Sequence, residues 1–521
     1  MSEPKTDTSD IGQAQEHEGL EPETKGRPSG DVALALVDTA VATVITDEEE
    51  RATARRIDMV LVPVMFITFG LQYMDKACLT GAALFGILID LKLVQVEQAV
   101  PPAEGIVINL ERYSYAQLIF YWGFLAGLVP GVYLAQRFPI GRYVAITMFL
   151  WGGVTVCTAA VNTYQGLYAQ RFFLGLAEAS VSPAFSLITV MWYKRSEVPL
   201  RYAIWYSASG LGVLIGSLLL YAIGHVKGAL APWRYQFIVI GCITCVWAIV
   251  IFFVLPNSPV NAFFLNDRQR VVAIERLRAD QVGIENKTVK RHQVIETFTD
   301  IKTYWYMLMV FAVNLTNGAA TGFGSIIVQS FGYTTFKSML VLSGAGATVF
   351  IWLLVSGFIS VYVKNSRSWL GMVSCLPVIA GSVMIWRSNW VNKATPLWGF
   401  YFISVFSTTL VMILTLMAAN TAGYTKKALT SGLVWGAYCA SNGVAPLLVF
   451  GREVGDHYPT TFKIIISMTS FAFVLLGLFR FYVLGINKKR DEIKKVEKLD
   501  ADRTAFMDMT DKENPNFRYE A

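Results

Sequence analysis

Two long stretches of this chain, residues 57–255 and 304–484, are almost free of charge, and no water-soluble fold presents that much uncharged surface. Of the 82 Lys, Arg, Asp and Glu residues, 19 lie in residues 1–56, 14 in 256–303 and 18 in 485–521. The remaining 380 residues share 31. Over the whole chain 54% of residues are hydrophobic and 16% charged, against roughly 25% charged in a soluble domain. A soluble enzyme, a secreted disulfide scaffold and a nucleic-acid binder are thereby excluded, and a polytopic membrane protein is expected. The six cysteines, Cys78, Cys157, Cys242, Cys245, Cys375 and Cys439, lie inside or at the edge of apolar runs. They read as packing residues, including the Cys242/Cys245 pair, whose spacing in a soluble chain would suggest a redox or zinc site.

A hydrocarbon layer about 30 Å thick takes about 20 helical residues at 1.5 Å rise. Windows of that length, bounded by charge, Pro or Asn, fall at 59–80, 115–135, 143–161, 167–191, 202–224 and 236–255, then at 304–327, 338–362, 369–386, 397–418, 429–450 and 463–484. The expected fold is therefore all-α and integral to the membrane, twelve transmembrane helices in two six-helix bundles, 57–255 and 304–484. A cytoplasmic loop, 256–303, joins them. Residues 1–56 read as a disordered cytoplasmic tail in which Thr46 and Glu49 open a capping-box helix, and 485–521 as a charged helix or disordered arm on the membrane surface. Short loops carry equal numbers of Lys and Arg on the two sides. The central loop and the clusters Arg51/Arg55/Arg56 and Lys488/Lys489/Arg490 break the tie, placing both termini in the cytoplasm by the positive-inside rule. The outer segment 95–111 carries no pattern that explains it.

A charged side chain inside a span costs roughly 2.5–3.5 kcal/mol on insertion scales, so each one is a functional candidate. Asp75 and Lys76 stand side by side in span 1. Arg171 and Glu178 lie seven residues apart on span 4, nearly two turns, and share one helix face. Structural readings stand beside the functional ones: Lys76 snorkelling with Asp75 as its partner, and Arg171 as an interface anchor. Glu178 has no interface within reach. Arg480, a turn from the end of the last span, reads as such an anchor. From residue 304 through 452 there is no Asp or Glu, and the polar groups inside that block are neutral: Asn314, Asn317, Asn420, Tyr438, Ser441 and Asn442. Any coupling carboxylate must come from the first half. The small-residue run SASGLGVLIGSLL (207–219) predicts a close helix contact at span 5.

The two halves echo each other in GVYLAQRFPIGR (131–142) and GFISVYVKNSRSW (357–369). YMDK (73–76), YSYAQLIFYWGF (113–124), Pro130 with LAQRFPIGRY (134–143), QRFFLGLAEASVSPAF (170–185), MWYKRSEVPLR (191–201), HVKGALAPWRYQF (225–237), LPNSPVNAFFL (255–265) and GIENKTVKRHQ (283–293) resemble the major facilitator superfamily, its anion:cation symporter family and, within that, the fungal allantoate permease branch. The resemblance implies two pseudo-symmetric bundles, a central site and alternating access. It implies proton coupling at Asp75 and Glu178 and substrate contacts at Tyr73, Lys76, Arg171 and Asn442. The aromatic Tyr121 is a further candidate pocket residue. Gly131, Gln136, Arg137, Gly141 and Arg142 match the family's cytoplasmic gating motif, with Gln136 where that motif has Asp. Lys76 replaces the Arg of more distant symporters, exchanging a bidentate clamp for a point charge.

These observations lead to a proton-coupled importer of a small organic anion, such as allantoate, ureidosuccinate or a carboxylate vitamin. It is expected to be monomeric in the plasma membrane, with no cofactor, metal or nucleic-acid partner. An efflux antiporter is the first alternative, disfavoured because such relatives carry a proline in the span 5 glycine pattern and Val213 to Ser217 has none. A non-transporting nutrient sensor signalling through the tails is the second. A membrane enzyme is set aside for want of a metal cluster, a nucleophile-base set or a phosphate loop.

Overall fold

The structure, a computed structural model, describes residues 45–98, 106–194, 197–279, 290–496, 509–514 and 516–521. Thr46 caps the first helix, α1 (Asp47–Leu84), through the reciprocal bonds with Glu49 that the sequence suggests, so the polar lead-in and the first span are one helix. The first half continues with α2 (Glu111–Arg137), α3 (Ile140–Cys157), α4 (Tyr164–Glu178), α5 (Val181–Trp192), α6 (Val198–Ile223) and α7 (Pro232–Val254). α4 and α5 are one span, interrupted at Ala179 and Ser180. Pro199 and Pro232 stand in the first turn of α6 and α7, where a proline costs least, whereas Pro63 and Pro130 lie inside α1 and α2.

Two helices occupy the central link, α8 (Asp267–Ala279) and α9 (Arg291–Thr299). The second half comprises α10 (Ile301–Asn314), a π turn over Gly318–Gly322, α11 (Gly324–Ser330), α12 (Thr335–Tyr362), α13 (Arg367–Arg387), α14 (Ala394–Ile403), α15 (Phe406–Asn420), α16 (Tyr424–Val444) and α17 (Pro459–Val496). Ten spans among the described residues are long and apolar enough to cross a membrane, and the pair Ile301–Gly322 with Gly324–Ser330, bent by 63°, is an eleventh. α16 takes the place of the expected span 429–450. It has 21 residues, enough to cross, but Lys426 and Lys427 in its first turn dilute its apolar character.

One departure from an all-α chain lies in the segment 95–111. Gln95–Gln98 (β1) pairs antiparallel with Ile106–Asn109 (β2), Gln95 opposite Asn109; residues 99–105 fall outside the described set. The end of the C-terminal tail also differs from expectation. Residues 1–44 lie outside the described residues, and α17 runs on to Val496. The chain's end folds back on the second half, with Asp511, Tyr519 and Ala521 buried, so it is no arm on the membrane surface.

Packing follows the small residues. A Cβ on Gly175 would sit 2.0 Å from the Phe120 carbonyl oxygen, and one on Gly123 2.1 Å from that of Phe172, so α2 and α4 touch backbone to backbone. Between the halves, α6 lies against α12 at Gly210 and Gly346, where a Cβ would meet backbone at 2.4 Å and 2.5 Å; this is the close contact expected of the run 207–219. Large apolar side chains such as Val129, Val246, Phe253 and Phe481 are exposed, as the hydrocarbon-facing surface of a membrane bundle requires.

At the end far from the termini, hydrogen bonds tie the halves together. Gln117 Nε2 and the Tyr113 hydroxyl donate to the Gly322 carbonyl at 2.7 Å and 3.0 Å, Thr80 Oγ1 donates to the Thr321 carbonyl at 2.8 Å, and Ser114 Oγ donates to that of Pro446 at 3.0 Å. At the terminal face α8 clasps the first half: Arg268 meets Glu49 at 2.9 Å, and Arg276 pairs with Glu197. α9 serves the second half, its Gln293 Oε1 accepting from the backbone nitrogens of Thr425 and Lys426 at the start of α16.

Candidate functional site

Successive residues on a helix point about 100° apart, while residues four apart share a face. On α1 that geometry parts the neighbours Asp75 and Lys76 and joins Lys76 to Gln72. Lys76 Nζ lies 3.0 Å from Glu178 Oε1, and Gln72 Nε2 donates to the same oxygen at 2.6 Å. Glu178, the last residue of α4, is fully buried, and its Oε2 has no partner. The Lys76 side chain is 15% exposed, with the Tyr73 ring 5.0 Å and the Phe120 ring 5.9 Å away. This ammonium is therefore paired, walled by aromatics and partly exposed.

Asp75 faces the interior of the first half. Trp151 Nε1 donates to its Oδ2 at 2.7 Å and Thr155 Oγ1 at 3.3 Å, while Oδ1 has no partner. Arg171 is buried in the same interior with its guanidinium 5.8 Å from the Phe237 ring, and its Nε and Nη2 lack partners. On the shared face of α4, Glu178 pairs with Lys76, whereas Arg171 lies in the interior that Asp75 also faces.

Across the cleft the second half supplies neutral groups. Asn317 Nδ2 donates to Asn442 Oδ1 at 2.6 Å and to the Tyr121 hydroxyl at 3.2 Å, joining α16 to α2. Asn442 Nδ2 donates to the Tyr438 carbonyl at 2.8 Å, and the Tyr121 and Tyr438 rings meet edge to face, 6.4 Å apart. The Tyr73 hydroxyl reaches that of Tyr206 at 3.5 Å and borders a cavity between the halves with Thr80, Ser209, Ala320 and Ser407. The Phe120 ring that faces Lys76 meets the Tyr121 ring edge to face at 5.0 Å. Tyr73, Lys76, Tyr121, Glu178 and Asn442 are therefore brought together, and Asp75 and Arg171 form a separate group behind them.

Three residues escape a sequence reading. Gln72 had a usable signal, its spacing of four from Lys76. Trp151 and Thr155 had none, because one tryptophan among thirteen does not announce a buried hydrogen bond. In the motif between α2 and α3, Gly131 and Gly141 act through close approach. A Cβ on Gly141 would lie 2.4 Å from the Leu255 carbonyl oxygen, and its N–H donates to Asn257 Oδ1 at 3.1 Å; Gly131 packs on Ser180. Arg137 and Arg142 are exposed, and the Gln136 side chain lies outside the described residues.

A family model described as Major Facilitator Superfamily matches residues 65–404. An uncharacterised transporter of Schizosaccharomyces pombe is 33% identical over 498 residues, spanning 95% of this chain and 90% of the relative. The allantoate permease of Saccharomyces cerevisiae is 29% identical, with 94% of this chain and 90% of the permease covered. Among solved structures, the proton:xylose symporter XylE bound to 6-bromo-6-deoxy-D-glucose superposes with a TM-score of 0.64 at 12% identity, covering 81% of this chain and 95% of the symporter.

Proposed function

We propose, for a chain that belongs to the Major Facilitator Superfamily and is a multi-pass membrane transporter rather than an enzyme, that it imports a small organic anion together with protons. The observation that carries this reading is the Lys76–Glu178 pair, a cation at the cleft whose single close counter-charge among the described residues is a buried carboxylate with one unpartnered oxygen. Proton binding to Glu178 removes that counter-charge. Lys76 then pairs with the carboxylate of the substrate, and Tyr73, Tyr121 and Asn442 supply hydrogen bonds that fix its orientation. Opening toward the other side of the membrane hydrates the site; Glu178 loses its proton, reclaims Lys76 and expels the anion. Asp75, held by Trp151 and Thr155 beside Arg171, is a second protonation site that couples α1 to α3 and α4.

The allantoate permease likeness supports a substrate such as allantoate, ureidosuccinate or a carboxylate vitamin, carried as a monomer across the plasma membrane with both termini cytoplasmic. Uptake into proteoliposomes, with those compounds in competition against labelled allantoate, identifies the substrate. The pH change that accompanies transport then gives the coupling: alkalinisation of the medium with uptake supports symport, and substrate efflux driven by inward proton flow overturns it in favour of an antiporter.

A further inference from the structure

Residues 304–452 contain no Asp or Glu, yet the second half buries three cations: Lys302 is 3% exposed, Lys426 1% and Arg367 8%. Cations held out of water demand counter-charge, and here it has to come from outside the apolar block. α9 and the residue that follows it provide part, Glu296 and Asp300 lying 2.8 Å and 2.7 Å from Lys426 Nζ. The remainder arrives from the far end of the chain. Asp511 places Oδ1 2.8 Å from Lys426 Nζ and pairs through Oδ2 with Lys302, and Glu520 lies 2.6 Å from Arg367. Glu296, Asp300 and Asp511 cluster as ligands of a metal ion would, and the Lys426 ammonium fills the space among them.

The segment is also held by its backbone. Arg490 donates to the carbonyls of Asp511 and Phe517 at 2.8 Å and 2.7 Å. The side chain of Asn487 exchanges two hydrogen bonds with the backbone of Tyr519, and that of Asn420 exchanges two with Glu520. Thr510 and Glu513 form their own reciprocal cap. The segment's partners among the described residues lie in α9, at Asp300 beside it, in the second half or in the segment itself.

We propose that residues 509–521 are a docked counter-ion strap of the second half, which neutralises Lys302 and Lys426 and fixes the terminal end of α16. Asn442 stands sixteen residues along that helix from Lys426, about 24 Å at 1.5 Å per residue, so the strap anchors the far end of the helix that carries a cleft residue. Neither the substrate nor the coupling ion enters this assignment. Losing Asp511 leaves Lys426 with two carboxylates but leaves Lys302 with Asp300 alone, at 3.6 Å.

The test is amide hydrogen exchange of residues 424–430 in the purified full chain, read for Asp511→Asn and for Asp511→Asn combined with Lys302→Met. The single variant is expected to exchange roughly a hundredfold faster there, and the double variant to recover most of that protection, because cation and anion have left together. Unchanged exchange in the single variant overturns the proposal, as does a double variant no better protected than the single. Should Asp511→Asn fail to accumulate as folded protein, accumulation of the double variant supports the strap; failure of both overturns it.

Discussion

Replacing Glu178 by Gln preserves shape and the capacity to accept from Gln72 but deletes the negative charge that faces Lys76 at 3.0 Å. At that separation an effective dielectric of about 20 gives an attraction of about 5 kcal/mol, and truncating one partner of a buried pair costs about 3–5 kcal/mol. The Lys76 side chain is 15% exposed, so water recovers some of the loss and the lower end, about 3 kcal/mol, is expected. Denaturant unfolding in detergent should show that deficit, a factor of more than a hundred in the folded to unfolded ratio. Adding Lys76→Met should return about 2 kcal/mol of it, because the stranded cation is gone. In proteoliposomes Glu178→Gln should lose proton-driven accumulation while still exchanging internal for external substrate. The reasoning is refuted if the variant accumulates substrate to the parent level, or if it is as stable as the parent and Lys76→Met adds nothing.

The remaining predictions test separate parts of the molecule. Gly175→Ala drives a methyl group to within 2.0 Å of the Phe120 carbonyl oxygen, and overpacking of that kind should cost about 1–3 kcal/mol in the same unfolding assay. Tyr113→Phe with Gln117→Leu removes two hydrogen bonds to the Gly322 carbonyl; at about 1 kcal/mol each, the state open at that end should gain roughly thirtyfold in population. Faster thiol labelling of a Ser209→Cys reporter in the cavity would show it. Trp151→Phe withdraws the 2.7 Å donor from Asp75 and should slow transport without weakening substrate binding, measured as maximal rate against half-saturation. At Asp511, burial opposes the charge, but Lys302 and Lys426 outweigh it and hold the carboxyl below its usual range. A lowered value means that its stabilisation is complete above the ordinary carboxylate pKa of about 4 and disappears as pH falls through the lowered one. The stability gap between parent and Asp511→Asn should therefore be flat from about pH 8 to 5 and close only in stronger acid.

By itself the sequence determined the spans, the family and the uneven placement of charge. The spans and the charge placement follow from hydrocarbon thickness and the cost of burying ions, which act on each segment alone, and the family from the resemblance of the motifs. The capping box at Thr46 and the close packing at span 5 were legible for the same reason, since both rest on local spacing or on small residues in a run. Tertiary structure decided the partners. Asp75 and Lys76 adjoin in the chain, and the 100° step between them sends one to Trp151 and the other to Glu178. Arg171 and Glu178 share a face, yet the elements packed against that face differ at its two levels. The strongest reversal concerns the C-terminal segment, whose charges read locally as a solvated arm. The buried lysines beside a stretch without acids, residues 304–452, give that segment a place to dock, and that shortage becomes visible only when residues more than 80 positions apart, Lys426 and Asp511, stand 2.8 Å from each other.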